Sequence, residues 1–217
     1  MALLMKLVSV NVGLPKEVEW QGKAVRTSIF KNAVNGPVRV AQLNLDGDQQ
    51  SDLTVHGGID KAVYAYPSEH YPFWRNKYPH FDFQWGTIGE NFTTEGLEEG
   101  STRIGDRFAI GSAEFVVTSP RLPCFKLGIR LRDPGAIKTL LQSRKTGFYL
   151  AVTREGVVNA GDPIELIESV PDSLSVTDIV NLYADSASYP ELLRSAAELA
   201  VLPASWRDHF RKKLAAL

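Results

Sequence analysis

The chain has 217 residues, 44% of them hydrophobic and 23% charged, enough for one large domain or one domain with a small appendage. A formal net charge of −1 excludes a global positive field for nucleic acid and leaves only local basic patches. A single cysteine excludes an internal disulfide, a four-cysteine iron–sulfur site and a readable Cys/His zinc cluster.

Met1 to Val12 is apolar but short. It has no basic n-region and no small-residue cleavage site, so no signal peptide is expected. No run approaches the roughly 18 apolar residues of a membrane span, and the expectation is a cytoplasmic protein without membrane contact. Short β-branched or alternating runs predict strands at Leu7–Val12, Val38–Leu43, Ala62–Tyr66, Arg107–Ile110, Ala113–Thr118, Phe148–Val152 and Ile164–Ile167. Gly105-Asp106 and Gly161-Asp162 read as turn dipeptides before strands. One helix is predicted from Ser68 and another with Asp133 as N-cap and Pro134 at its first position. Many short strands at this spacing point to a mainly β fold, a barrel or a sandwich.

Beyond Val170-Pro171-Asp172 the pattern turns helical, dividing the chain into residues 1–170 and a unit of 171–217. Ser175 and Asp178 form a capping pattern ahead of Ile179, Val180 and Tyr183. Tyr189-Pro190-Glu191 opens a second helix and Pro203 a third, with Trp206, Phe210 and Leu214 along one face. Three short helices in about 45 residues bury little alone, so the unit is expected to dock on the strand domain or on a second subunit. No helix here carries the basic, Asn/Gln-rich face of a DNA reader.

Four segments could carry chemistry. In Thr118-Ser119-Pro120-Arg121-Leu122-Pro123-Cys124-Phe125-Lys126 two prolines predict a stiff loop off the sheet ladder. Arg121, Lys126 and Arg130 add positive charge that favours a thiolate at Cys124; a core cysteine with water-facing basic neighbours fits the segment equally well. Asp52-Leu53-Thr54-Val55-His56-Gly57-Gly58, followed by Lys61, offers backbone N–H groups at the glycine pair to an anion, with His56 and Lys61 on either side; a plain turn is the ordinary alternative. Gly86-Thr87-Ile88-Gly89-Glu90-Asn91 presents Asn91, donor and acceptor together, to a pterin edge or else to a turn. Arg26 and Lys31 are two cations suited to a phosphate, or an exposed strand end.

Taken in order, these segments resemble the MOSC family, named for the C-terminal domain of molybdenum cofactor sulfurase. The matching elements are Thr27-Ser28-Ile29-Phe30-Lys31, Gly47-Asp48, Asp52 through Gly58, Asp60-Lys61-Ala62-Val63-Tyr64, Gly89-Glu90-Asn91, Ile104-Gly105-Asp106, Pro120 through Cys124, Gly147-Phe148-Tyr149 and Gly161-Asp162. No single one is specific; the ordered set is. Within the family the chain is most similar to the bacterial YiiM-type proteins, which carry a small three-helix C-terminal unit. Where many relatives have Thr-Gly, this chain has Thr27-Ser28.

The resemblance implies a β-barrel with a few helices, and molybdenum cofactor (Mo-molybdopterin) seated in a cleft with Cys124 as metal ligand. It also implies reduction of N-hydroxylated bases such as 6-hydroxylaminopurine, a detoxification. Arg26, Lys31, His56, Gly57, Gly58, Lys61, Asn91 and Arg121 are the expected cofactor-binding residues, some of them meeting its phosphate. A soft thiolate suits such a metal. With no flavin fingerprint and one cysteine, the electrons are expected from a separate reductase, a flavoprotein. Rival readings are a sulfur carrier or transferase working through a Cys124 persulfide, a non-catalytic cofactor-binding module, and a β domain with a buried cysteine. The sequence does not fix the oligomeric state and leaves a homodimer open.

Overall fold

The computed structural model describes residues 5–52 and 57–216. Its first half contains β1 (Lys6–Val12), the hairpin β2 (Lys16–Trp20) and β3 (Lys23–Thr27), β4 (Asn32–Ala33), β5 (Val38–Val40), β6 (Val63–Pro67), α1 (Tyr71–Lys77) and β7 (Phe92–Glu95). Next come β8 (Arg107–Ile110), β9 (Ala113–Pro120), α2 (Phe125–Leu131), α3 (Ala136–Ser143), β10 (Phe148–Arg154), β11 (Gly156–Val158) and β12 (Ile164–Glu168). The helices α4 (Val176–Ala184), α5 (Pro190–Glu198) and α6 (Ala204–Leu214) end the chain.

Eight strands form one sheet in the order β12-β8-β9-β10-β6-β7-β1-β4. Every neighbouring pair is antiparallel except β6 and β7. β6 is buried along its whole length, as a strand covered on both faces must be. Val63 and Ala65 face the main apolar cluster, while Tyr64 and Tyr66 face a second, aromatic one with Tyr71 and Trp74 of α1 and Leu127 and Leu131 of α2.

The structure departs from the expected closed barrel: the strand ladders form an open mixed sheet among the described residues. Its margins nonetheless approach, because the start of β1 bonds to the chain entering β12. Leu7 N–H donates to the Asp162 carbonyl at 2.9 Å, Gly161 N–H to that of Leu7 at 2.7 Å, and Ile164 N–H to that of Met5 at 2.9 Å. Lys6 and Pro163 form only an isolated bridge there, since a proline has no N–H with which to extend a ladder.

Two local expectations are also corrected. The segment from Thr118 is not wholly off the ladder, for β9 runs to Pro120, paired with Phe148. Cys124 lies at the N-cap of α2, where the two prolines predict only a stiff loop. Asp133 does not cap the next helix. It turns the chain through a Gly135 N–H bond to its Oδ1 at 2.8 Å, and α3 starts at Ala136 behind Gly135.

In the last unit, α4 carries the full capping box between Ser175 and Asp178. Two of its first-turn N–H groups are satisfied from the sheet domain, Val176 by the Thr102 carbonyl at 2.9 Å and Thr177 by that of Glu99 at 3.1 Å. α4 packs on β9, and Trp206 and Phe210 are buried in the main cluster, with Leu214 against it.

Candidate functional site

A cleft opens where the chain leaving β9 meets the starts of β6 and β10 and the loops around residues 28–31, 48–51 and 89–91. Its lining includes Ser28, Lys31, Asp48, Lys61, Tyr64, Asn91, Arg121, Cys124, Lys126 and Tyr149. Of the residues singled out from sequence, Lys31, Lys61, Asn91, Arg121 and Cys124 therefore converge. Arg26 does not line the cleft; it is exposed on the β2–β3 hairpin opposite Glu17. Gly57 and Gly58 are not among the lining residues either. Gly58, at φ +96°, starts the 3-10 turn Ile59–Lys61 and its carbonyl accepts Lys61 N–H at 3.0 Å. His56 lies outside the described residues.

The backbone explains how Arg121 and Cys124 reach the cleft. After Pro120, Arg121 N–H donates to the Gly147 carbonyl at 3.1 Å, holding the chain against the start of β10. Pro123 and the first turn of α2 then fix Cys124, whose carbonyl accepts Leu127 N–H at 3.0 Å. The Cys124 side chain is partly exposed. Lys61 is brought in by Thr118, whose hydroxyl contacts the Asp60 carbonyl at 2.6 Å.

Arg121 is the unusual group. Its side chain is only 4% exposed, and its guanidinium lies 4.8 Å from the Tyr64 ring centre, a favourable cation–π contact. Yet Nη1 is buried with no hydrogen-bond partner among the described residues, a state that costs free energy unless something answers it. Burial works against its positive charge, but the neighbouring Tyr64, Tyr149 and Cys124 raise its pKa above the ordinary arginine value. Ser28 Oγ, in the same cleft, is likewise buried and unpartnered among the described residues. Burial raises the Tyr149 phenol above its ordinary value, against the pull of Arg121, so its Oη keeps its proton at neutral pH.

Lys31 and Asn91 are differently employed. Lys31 Nζ sits 2.5 Å from Asp48 Oδ1 in a buried pair. Burial lowers its pKa, while the Asp48 carboxylate acts the other way. Asn91 donates from Nδ2 to Asp48 Oδ2 at 2.9 Å and to the Asn11 carbonyl at 3.3 Å, and its Oδ1 accepts Tyr64 N–H at 3.1 Å. Asp48 also accepts Gly13 N–H at 2.8 Å. Lys31, Asp48 and Asn91 thus make a buried polar frame that joins β1, β6 and the 45–48 turn, and Asn91 has both donors engaged. Lys126 donates to Ser51 at 2.9 Å.

Sequence reasoning missed Tyr64 and Tyr149 as lining residues. They lie directly opposite each other across β6 and β10, a register that strand periodicity alone does not set. It gave Tyr183 and Trp206 only a packing role, whereas a second hollow beside Cys124 is lined by both.

The cleft brings a thiol, four cations and one carboxylate to one place. Among the described residues no three His, Cys, Asp or Glu side chains converge as a metal cage, so a metal held at Cys124 would have to bring other ligands with it.

Comparison with known proteins identifies the family to which this cleft and its helical unit belong. Residues 52–165 match the MOSC domain family and residues 174–217 the YiiM-like 3-alpha helix domain. The chain is 37% identical over 209 residues to the Bacillus subtilis protein YflK, covering 95% of this chain and 93% of that one. It superposes on the crystal structure of YiiM from Geobacillus stearothermophilus with a TM-score of 0.81 at 36% identity, covering 97% of this chain and 99% of the other. A Gibberella moniliformis protein named a reductase is 31% identical over 176 residues, which cover 80% of this chain but 31% of that protein.

Proposed function

Because the chain belongs to the MOSC family and carries the YiiM-like helical unit, we propose that its cleft holds pterin-bound molybdenum at Cys124. We propose further that it reduces N-hydroxylated bases such as 6-hydroxylaminopurine. The observation that carries the reading is the pairing, in one cleft, of a partly exposed thiol with a buried guanidinium whose Nη1 is unpartnered among the described residues. The first suits a soft metal and the second an anionic phosphate or oxo group.

The remaining residues fit the same group. Arg121, with Lys61 and the buried Lys126, would meet the phosphate, and Ser28 Oγ offers it a further hydrogen bond. Lys31 and Asn91 act at one remove, keeping the cleft wall rigid through Asp48. The bound cofactor would supply a two-electron reduction in which, with two protons, the N–OH bond is cleaved to an amine and water. Tyr149 Oη, held protonated, can donate a hydrogen bond to the departing oxygen. The electrons come from a separate reductase, for which a flavoprotein is the natural class. The relative named a reductase favours redox chemistry over sulfur carriage.

The test is molybdenum and pterin content, with reduction of 6-hydroxylaminopurine, for parent and Cys124→Ser made in a cofactor-competent host. Serine has nearly the same volume but is a hard, normally protonated ligand. The substituted protein should keep the parent's melt and lose turnover, with its metal content reduced. Full activity in Cys124→Ser overturns the assignment, and a metal-free parent bearing a persulfide establishes the sulfur-carrier alternative.

A further inference from the structure

The cleft does not stop at Cys124. A second hollow shares Lys61, Cys124, Lys126 and Tyr149 with it and continues toward the helical unit, where its far side is built by Tyr183 of α4 and Trp206 of α6. Two aromatic side chains of the last 45 or so residues thus border a groove that begins at the proposed metal ligand. Both rings are packed against neighbouring rings. The Tyr183 and Trp206 rings meet edge to face at 5.8 Å, and His209 stacks on Tyr183 at 5.5 Å. Trp206 also packs on Phe210, which is fully buried. α4 itself packs on β9, the strand whose end leads to Cys124.

Trp206 is 8% exposed, enclosed in the main apolar cluster with only an edge toward the groove. Tyr183 is instead half-buried, with part of its surface left to the groove. Aromatic surfaces of this kind hold flat heteroaromatic rings by stacking and edge contacts, with little regard for their substituents. The near end of the groove offers the polar groups that the reacting N–OH needs, and the far end offers rings. We infer that Tyr183 and Trp206 form the base-recognition wall of the groove, so that the helical unit selects planar heteroaromatic substrates for the reaction at Cys124. This inference rests on the function proposed above for its chemistry, but the binding it describes does not depend on a loaded metal.

Adenine, which carries the ring and no N–OH, is the direct probe. Calorimetric titration of the full chain should show adenine binding in the parent. Tyr183→Leu should weaken it about ten-fold, and Tyr183→Phe, which keeps the ring, should stay within about two-fold. In turnover assays the preference for 6-hydroxylaminopurine over the aliphatic acetamidoxime, as a ratio of kcat/KM, should collapse in Tyr183→Leu through KM and recover in Tyr183→Phe. Should Tyr183→Leu not fold, the parent labelled with 5-fluorotryptophan decides the matter. Adenine should shift the Trp206 fluorine resonance, assigned with Trp206→Phe, and leave that of Trp74 in place. No adenine binding by the parent, equal binding by Tyr183→Leu, or a still Trp206 resonance overturns the inference. Ring-dependent adenine binding by a protein without reductase activity would sink the proposed chemistry and leave the wall standing, whereas an active reductase indifferent to Tyr183 would do the reverse.

Discussion

Glu90 sits in the wall behind the cleft, fully buried. Its Oε1 accepts hydrogen bonds from the Tyr71 hydroxyl, from Gly86 N–H at 2.9 Å and from the Thr93 hydroxyl at 2.9 Å. Its Oε2 has no partner among the described residues. Burial outweighs those bonds and raises the carboxyl above its ordinary value of 4.5. Above pH 4.5 the folded chain therefore keeps a proton that the unfolded chain has released. In that window each step up in pH favours unfolding, until the folded-state value is passed. Glu90→Gln removes this titration. Denaturant melts of parent and variant at rising pH above 4.5 should show the stability difference moving in the variant's favour and levelling once the folded-state value is passed. A constant difference would mean that Glu90 ionises alike in both states. Side-chain chemistry at this scale was partly legible in sequence. Arg121 and Cys124 could be chosen as cation and thiol of one stiff segment, but that Lys31 and Asn91 serve Asp48 could not, because the 45–48 turn meets them only through the fold.

Among the elements, legibility followed local signals. β8 appears with the bounds its pattern gave, and α4 starts at the capping box read from Ser175 and Asp178. The β2–β3 hairpin escaped because its strands are short and largely exposed, so the alternation of Val18 and Trp20 with Glu17 and Glu19 is brief, and its turn is Gln21-Gly22 rather than Asn-Gly or Asp-Gly. β7 escaped because Phe92-Thr93-Thr94 is buried on both sides as the parallel neighbour of β6, and burial on both faces erases the period of two. α2 escaped because a proline-rich approach hides a helix whose N-cap is a cysteine, an unusual capping residue. The turn before β7 was marked by its glycines, and the structure supplies the reason at Gly89. Its φ is +92°, and a Cβ there would come within 2.4 Å of Ile29 Cδ1. Ile29 itself lines the cleft. Gly89→Ala should therefore cost about 1–3 kcal/mol, read as a lower urea midpoint with an unchanged slope, and should displace Ile29 into the cleft. An alanine variant as stable as the parent would show that the turn can relax to an ordinary backbone conformation.

At the scale of the whole molecule, the question is whether the helical unit is an appendage or part of one folding unit. The family matches leave a short gap between residues 165 and 174, as separable modules would. The packing says otherwise. One apolar cluster contains Phe115 and Val117 of β9, Val176 and Ile179 of α4, Leu193 of α5 and Phe210 of α6. Polar contacts tie the same boundary: Ile104 N–H donates to the Leu174 carbonyl at 2.9 Å, and Arg144 Nε to Asn181 Oδ1 at 3.0 Å. Phe210 is fully buried at the centre of this junction. Its replacement by alanine should cost about 3–5 kcal/mol, a large part of the roughly 5–15 kcal/mol that holds a domain together. For a chain of this size that corresponds to a fall in Tm of roughly 6–20 °C. Because helices and sheet share the cluster, the loss should be common to both. The far-UV signal at 222 nm, dominated by helix, and the near-UV signal of the tyrosine and tryptophan cluster around Tyr66 and Trp74 should move to lower temperature together, as one transition. If Phe210→Ala instead melts in two steps, with the near-UV signal holding at the parent's temperature, the helical unit folds independently on a sheet domain that does not need it.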